Sequence, residues 1–463
     1  MLELVISSIL LAASLTAFLF FCVRRVPFAI WSPVYIFPLT YAAIGLGGYF
    51  YYRFSSSYRY GFYDLAVTHN YLARSLAAFL IAISAFVIGV LAYVLLSKRA
   101  LLVYRGRKSA KTFTVSQWQH RVPMFGRAAV TTPAFLSLPL ILTIVGIGPD
   151  NIWWRSDYLV EHYHYFLIAG SLLSLPAVLY LGAITPSRRN ITWRVSCGFI
   201  FVLYMLIYLA MSTRQIVVII VFYIAGLSLG GARRKVIAPL VTMWVLSLPL
   251  LLQIPLQLRG MPHQGLAPLF NNLISIATDT RISTGYIDAI DAGIRNLTFG
   301  VPLSGYVGSR PPIPIEALGS SLNPLPSFIP VPGLPPWENF QESLRATKYI
   351  PYNALGELLN YGWPWLTFYY MLVGLLAAWL EVSANYFQRQ RSQLGYIVGC
   401  GMLLLFSIVS TQYNLRSATR LLWYAVAIAV LWRFMSRLRV HEKTHKTCSS
   451  SVDQTGIASK SGY

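Results

Sequence analysis

Eleven stretches of apolar residues dominate this chain, at about 3–23, 27–51, 74–97, 129–149, 162–184, 195–212, 215–232, 236–256, 362–382, 394–414 and 417–437. Each is long enough to cross the roughly 30 Å hydrocarbon core of a bilayer as a helix. In hydrocarbon every backbone N–H and C=O needs a partner within the segment, so an isolated apolar stretch can span only as a helix. The expected fold is therefore an all-α polytopic membrane protein with about eleven transmembrane helices. Composition agrees, since 56% hydrophobic against 11% charged over 463 residues is too apolar for a soluble domain of this size.

The formal net charge of +22 would suggest nucleic acid in a soluble protein, but its distribution gives another reading. Lys and Arg accumulate in cytoplasmic loops. Arg24 and Arg25, the run from Lys98 to Arg127, Arg188 to Arg194, Arg233 to Lys235, Arg389 and Arg391, and the basic residues from Arg433 onward all fall on one side of the spans. That side holds 24 of the 37 basic residues and three of the 15 acids. Nearly all the excess is topological, and no nucleic-acid partner is implied. The N-terminus is placed outside and the C-terminus inside. Glu3 before the first apolar segment and an arginine pair after it argue against a cleaved signal peptide, so that segment is read as a retained helix.

None of the four cysteines, Cys22, Cys197, Cys400 and Cys448, lies in an external loop, and no external disulfide is expected. The chain divides into helices one to eight over 1–256, a large external loop over 257–352, helices nine to eleven over 353–440, and a Ser/Thr/Lys-rich tail over 441–463 expected to be disordered. The loop is rich in proline yet also in Leu, Ile, Phe and Tyr, which suits an ordered cap better than a linker. Residues 266–295 and 338–348 carry helix-like patterns within it, and Asp291 with Arg295 has the i, i+4 spacing of an ordinary helix ion pair.

Arginines on the outer side carry the chemical signal. Arg214 lies 19 residues before Arg233 and Arg420 lies 13 before Arg433, hence roughly 28 and 20 Å above the inner boundary at ~1.5 Å per residue. Arg416 shares a helix face with Arg420, Arg259 closes the eighth span, and Arg281 sits in the cap. No carboxylate lies within a helical turn of Arg214, Arg416 or Arg420 in sequence. Fixed cations near hydrocarbon are costly, so an exogenous anion is the expected partner. The outer side holds twelve arginines and one lysine, Lys348, and a guanidinium grips phosphate oxygens in a fork that lysine cannot reproduce. Lipid-borne phosphate is the natural candidate.

Where the chain re-enters the membrane, in "PYNALGELLNYGWPWLTFYY", Glu357 and Asn360 share a helix face. A carboxylate at a low-dielectric boundary has a raised pKa and suits a general base; pairing with one of the arginines is the plain structural alternative. Asp279 and His263 are further candidates for the base. Trp337 and Tyr352 are positioned either to stack on sugar rings or simply to pack. Motifs for zinc hydrolysis, P-loop phosphate binding and serine nucleophiles are missing, and no metal or other cofactor is implied.

A helix hairpin with Ser/Thr-Arg at its tip ("MSTRQIVVII"), then "LQLRGM", the cap segment "TDTRIST", "GELLNYGWPW" and the late "NLRSATRLL" together resemble the Wzy-type oligosaccharide repeat-unit polymerases of bacterial O-antigen and capsule synthesis. The resemblance runs from about residue 195 to 437. It implies a metal-independent, GT-C-like glycosyltransferase of the inner membrane that transfers a growing glycan from one undecaprenyl pyrophosphate to a repeat unit on another. A flippase and a chain-length regulator in the same membrane are the partners it implies. Carried onto this chain, Arg214, Arg259, Arg281, Arg416 and Arg420 would bind pyrophosphate, Glu357 would be the base, and Asn360, Trp337 and Tyr352 would contact substrate. An O-antigen ligase and a lipid-linked oligosaccharide flippase remain open as alternatives.

Overall fold

The runs of apolar residues become helices because helix formation is the one way to satisfy their backbones without water. In a computed structural model of the chain, helices make up nearly every described element, the exception being a two-residue hairpin pairing Arg59–Tyr60 with Tyr63–Asp64. The structure describes residues 2–19, 33–54, 59–60, 63–64, 69–97, 174–175, 177–187, 191–213, 215–229, 232, 234–259, 261, 266–278, 286–325, 331–345, 352–389, 393–427 and 429–431. Two compact units share the chain: Met1–Ala110 with Thr298–Tyr463, and Lys111–Leu297 between them. The boundary at 297/298 falls inside the 257–352 stretch expected to be a single cap.

The first unit opens with α1 (Leu2–Phe18), α2 (Pro33–Phe54) and α3 (His69–Leu96). The second contains α4 (177–184), α5 (Ile191–Ala210), α6 (Gln215–Leu229), α7 (Arg234–Arg259), α8 (Leu266–Thr278) and most of α9 (Tyr286–Thr298). The first then resumes with α10 (Gly300–Gly308), α11 (Glu316–Leu322), α12 (Glu338–Leu344), α13 (Ala354–Tyr361), α14 (Trp363–Arg389), α15 (Gln393–Gln412) and α16 (415–427). Among the described residues, Asn70–Leu96, Ile191–Ala210 and Trp363–Val382 are long and apolar enough to cross a membrane. The expected span 129–149 and the tail 441–463 lie outside the described residues.

In the first unit α3 is the central helix, lying against α1, α2 and α14. Its closest approach is to α14: a Cβ on Gly89 would stand 1.9 Å from the Met371 carbonyl oxygen, and one on Gly374 would stand 1.9 Å from that of Phe86. Two backbones can touch like this only where neither helix carries a side chain, the usual device of packed membrane helices. Phe37 of α2 stacks on Phe86 of α3 with ring centroids 4.3 Å apart. The Tyr41 hydroxyl meets the Tyr370 hydroxyl at 2.8 Å and the Ser410 hydroxyl at 2.5 Å, so α2, α14 and α15 share one buried polar knot.

The second unit contains the helix hairpin that the sequence suggested, α5 and α6. Its tip closes as a Schellman turn, with the Thr213 amide donating to the Tyr208 carbonyl at 3.2 Å and the Ser212 amide to that of Leu209 at 2.8 Å. Ser212 holds the left-handed conformation, φ 51°. Within the expected helical stretch 266–295, α8 and α9 are helical, and the expected 338–348 helix is the shorter α12. Proline-rich 300–322 forms two further short helices, α10 and α11, that its pattern did not announce. The Asp291–Arg295 pair forms as the spacing predicted, on a partly exposed face.

Candidate functional site

The best-defined polar cluster surrounds α13, the short helix before the α14 span. Asn353 caps it: the side-chain oxygen accepts from the Gly356 amide at 2.8 Å. The Asn353 amide nitrogen donates to the Gly300 carbonyl at 2.6 Å, the Ser304 hydroxyl at 2.7 Å and the Thr411 carbonyl at 3.0 Å. One fully buried side chain thus pins α13 to α10 and α15. At the other end Gly362 terminates α13 with φ +112°, a conformation other residues rarely adopt, and Pro364 sits in the first turn of α14. That break separates α13 from the span and fixes Glu357 as a buried residue.

Glu357 is 1% exposed. One carboxylate oxygen accepts from the Ser321 hydroxyl at the end of α11, and the other from the Leu415 amide at 2.8 Å. Leu415 opens α16, whose cap is Asn414, accepting from the Ser417 amide at 2.9 Å. Glu357 therefore occupies a helix N-terminus, where unpaired amides favour negative charge. Burial is the larger effect and pushes its carboxyl up from 4.5 to about 7, with the two hydrogen bonds opposing. Among the described residues no arginine pairs with Glu357, as one of the two expectations had it; a hydroxyl and a backbone amide hold its two oxygens.

Arg416 follows Leu415 directly. It is 5% exposed, donates to the Leu325 carbonyl at 3.2 Å, and its guanidinium lies 5.8 Å from the centre of the Trp337 ring. Arg420, one turn on, donates to the same carbonyl at 2.9 Å, while its Nε is buried with no hydrogen-bond partner. Among the described residues no carboxylate forms an ion pair with Arg420. The Trp423 indole donates to the Leu322 carbonyl at 3.0 Å, so α16 holds the 322–325 segment at three points.

Trp337 and Tyr352 stand together, ring centroids 6.3 Å apart. Tyr352 is 2% exposed and its hydroxyl has no hydrogen-bond partner. Burial pushes that hydroxyl far above the usual phenol range; the Glu357 charge adds to the rise, while Arg345 and Arg416 oppose it. Trp337 packs under Arg416 and Tyr352 is enclosed beside Glu357, so both belong to the wall of the cluster.

Asn360 requires a correction. Its amide nitrogen donates to the carbonyls of Val307, Arg310 and Pro311 at 3.2, 3.0 and 3.2 Å, and its oxygen accepts from the Ile313 amide at 3.0 Å. With both polar atoms committed to shaping the 307–313 turn, Asn360 is a positioning residue, not a substrate contact. Ser321, Asn353 and the Leu325 carbonyl were not singled out by sequence reasoning. Only Asn353 carried a signal, as a capping residue ahead of "ALGELL".

Of the other expected residues, Arg214, His263, Asp279 and Arg281 lie outside the described residues, and Arg259 ends α7 with its side chain outside them. All five belong to the 111–297 unit. The structure thus brings Glu357, Trp337, Tyr352, Arg416 and Arg420 together within the other unit. No protein-family model, curated protein or solved structure matches this chain.

Proposed function

We propose that the chain is a polysaccharide polymerase of the bacterial inner membrane, with about eleven spans, a GT-C-like fold, an N-terminus in the periplasm and a C-terminus in the cytoplasm. It joins oligosaccharide repeat units carried on undecaprenyl pyrophosphate, alongside a flippase and a chain-length regulator. One observation carries this reading: a buried carboxyl with a proton affinity near neutrality is bonded to the amide of Leu415, the residue directly before Arg416 and one turn before Arg420. A base and two cations then meet at one helix terminus. Glycosyl transfer from a lipid pyrophosphate needs that pair of functions.

In this mechanism Glu357 takes the proton of the acceptor hydroxyl as its oxygen bonds to the anomeric carbon. The bond from that carbon to the pyrophosphate breaks, and the departing oxygen's charge falls on Arg416 and Arg420. Their guanidiniums act in a poorly hydrated site, where fixed cations stabilise developing charge more than they stabilise the ground state. Arg214, Arg259 and Arg281 are assigned to the second carrier's pyrophosphate. Asp279 and His263 are the reserve candidates for the base.

The test is a deletion strain complemented with wild type, Glu357→Gln, Arg420→Ala and Arg420→Lys, each checked for membrane insertion. Polymer is expected only with wild type, with single-repeat product in its place and Lys rescuing poorly because it lacks the fork. Long unattached polymer in the deletion strain would assign a ligase. Loss of all surface repeat units would assign a flippase. Full-length polymer from Glu357→Gln would remove Glu357 as base.

A further inference from the structure

A polar cavity of about 240 Å³ opens in the first unit, away from the Glu357 cluster, lined by Glu3, Asn70, Tyr71, Arg74 and Ser309 with Leu4 and Ala73. It lies between the start of α1, the start of α3 and the end of α10, and shares no residue with the Glu357 cluster. A cation, a carboxylate and an amide here face a common space without neutralising one another. Among the described residues Arg74 forms no ion pair, with Glu3 or any other acid. Its one hydrogen bond among the described residues is a long contact, 3.4 Å, to the Ser309 hydroxyl, which itself donates to the Gly305 carbonyl at 2.8 Å. The Arg74 Nε is buried with no partner. A half-buried guanidinium in that state has most of its donors to offer.

We propose that this pocket binds an acidic monosaccharide unit, its carboxylate on Arg74 and its hydroxyls on Asn70 and Glu3. Volume sets the size: the cavity is below the roughly 300–1,000 Å³ of drug-sized sites and suits a single ring. Glu3 sets the charge, since a carboxylate in the wall repels a multiply charged phosphate but accepts hydrogen bonds from sugar hydroxyls. Tyr71 supplies an aromatic wall of the kind sugar rings pack against, held edge-on by Tyr306 with centroids 5.9 Å apart. The pocket is tied to the Glu357 helix as well. Ser309 lies between Val307 and Arg310, whose carbonyls Asn360 holds three residues along α13 from Glu357.

The assignment rests on the glycan reading only in naming a sugar as bearer of the carboxylate. The experiment is titration of the purified, detergent-solubilised full chain with glucuronate, glucose and inorganic phosphate, followed by saturation-transfer NMR. Glucuronate should bind roughly tenfold tighter than glucose, the factor set by about 1.4 kcal/mol, and tighter than phosphate. Arg74→Gln should abolish that preference and Asn70→Ala weaken it, while Glu357→Gln leaves it intact. Equal binding of glucuronate and glucose, tighter binding of phosphate, or an unchanged preference in folded Arg74→Gln would each overturn the assignment. Because no transfer reaction is measured, its failure is distinct from failure of the polymerase reading, which the complementation assay decides.

Discussion

Glu357→Gln should make the stability of this protein lose a specific pH dependence. The Glu357 carboxyl is pushed from 4.5 to about 7 by burial. Each tenfold change in proton affinity corresponds to ~1.4 kcal/mol, so ionising Glu357 in the folded protein costs ~3 kcal/mol relative to the unfolded chain. The sign follows from the raised value. Below about pH 4.5 the group is neutral in both states and there is no cost. Between there and about pH 7 the unfolded chain releases the proton while the folded chain keeps it, so stability falls as pH rises. Above about pH 7 the whole penalty applies.

Glutamine preserves the contacts: its carbonyl can accept from the Leu415 amide and its NH₂ can donate to the Ser321 hydroxyl, which is both donor and acceptor. Unfolding in mixed micelles at pH 4.5, 6 and 8 is the assay. Wild type should lose ~3 kcal/mol more than Glu357→Gln across that range. Parallel curves for the two proteins would refute the argument that burial controls this carboxyl. The proposed polymerase activity supplies an independent reading, because a base works ionised: the rate of elongation should rise with pH through about 7 in wild type.

Gly374→Ala should lower the thermal midpoint by the ~1–3 kcal/mol of an overpacked contact, since its Cβ would meet the Phe86 carbonyl at 1.9 Å. Gly47→Ala, with nothing within 4 Å, should leave it unchanged and is the control; equal behaviour would show that α3 and α14 are not in backbone contact. Asn353→Ala should cost ~2–3 kcal/mol from the lost cap and the unpaired Gly300 and Thr411 carbonyls. Asn353→Asp keeps the cap but turns an oxygen onto those carbonyls, so at neutral pH it should be the more destabilised of the two by chemical unfolding.

Sequence periodicity and hydropathy were sufficient to find α3, α5 and α14, because a span is specified by its own residues. The α5–α6 hairpin tip was legible for the same reason. Glu357 stood out because it interrupts an apolar re-entry, but its partners did not: Ser321 and Leu415 are 36 and 58 residues away, and one of them contributes only a backbone amide. The Leu325 carbonyl that Arg416 and Arg420 share is 91 and 95 residues from them and has no side-chain signature at all. Asn360 misled for a chemical reason. An amide serves a backbone turn as well as it serves a sugar, and only the folded arrangement shows that the Val307–Ile313 turn has taken it.

The position of the arginines on α16 is itself a costly choice. Cations are favoured at helix C-termini and disfavoured in the first turn, by ~0.3–1 kcal/mol. Arg416 nevertheless occupies the first turn after the Asn414 cap and Arg420 the second, and among the described residues Arg420 gains one hydrogen bond, to a neutral carbonyl. An arginine kept for folding should repay its desolvation with a carboxylate; one kept for an anion should cost the resting protein little or nothing to lose. Arg420→Ala separates these. Its unfolding free energy should stay within ~1 kcal/mol of wild type, the desolvation gain offsetting the lost hydrogen bond, while the proposed elongation disappears. Destabilisation by ~3 kcal/mol or more, the signature of a broken buried ion pair, would make Arg420 a structural residue and leave the proposed pyrophosphate site on α16 without its second cation.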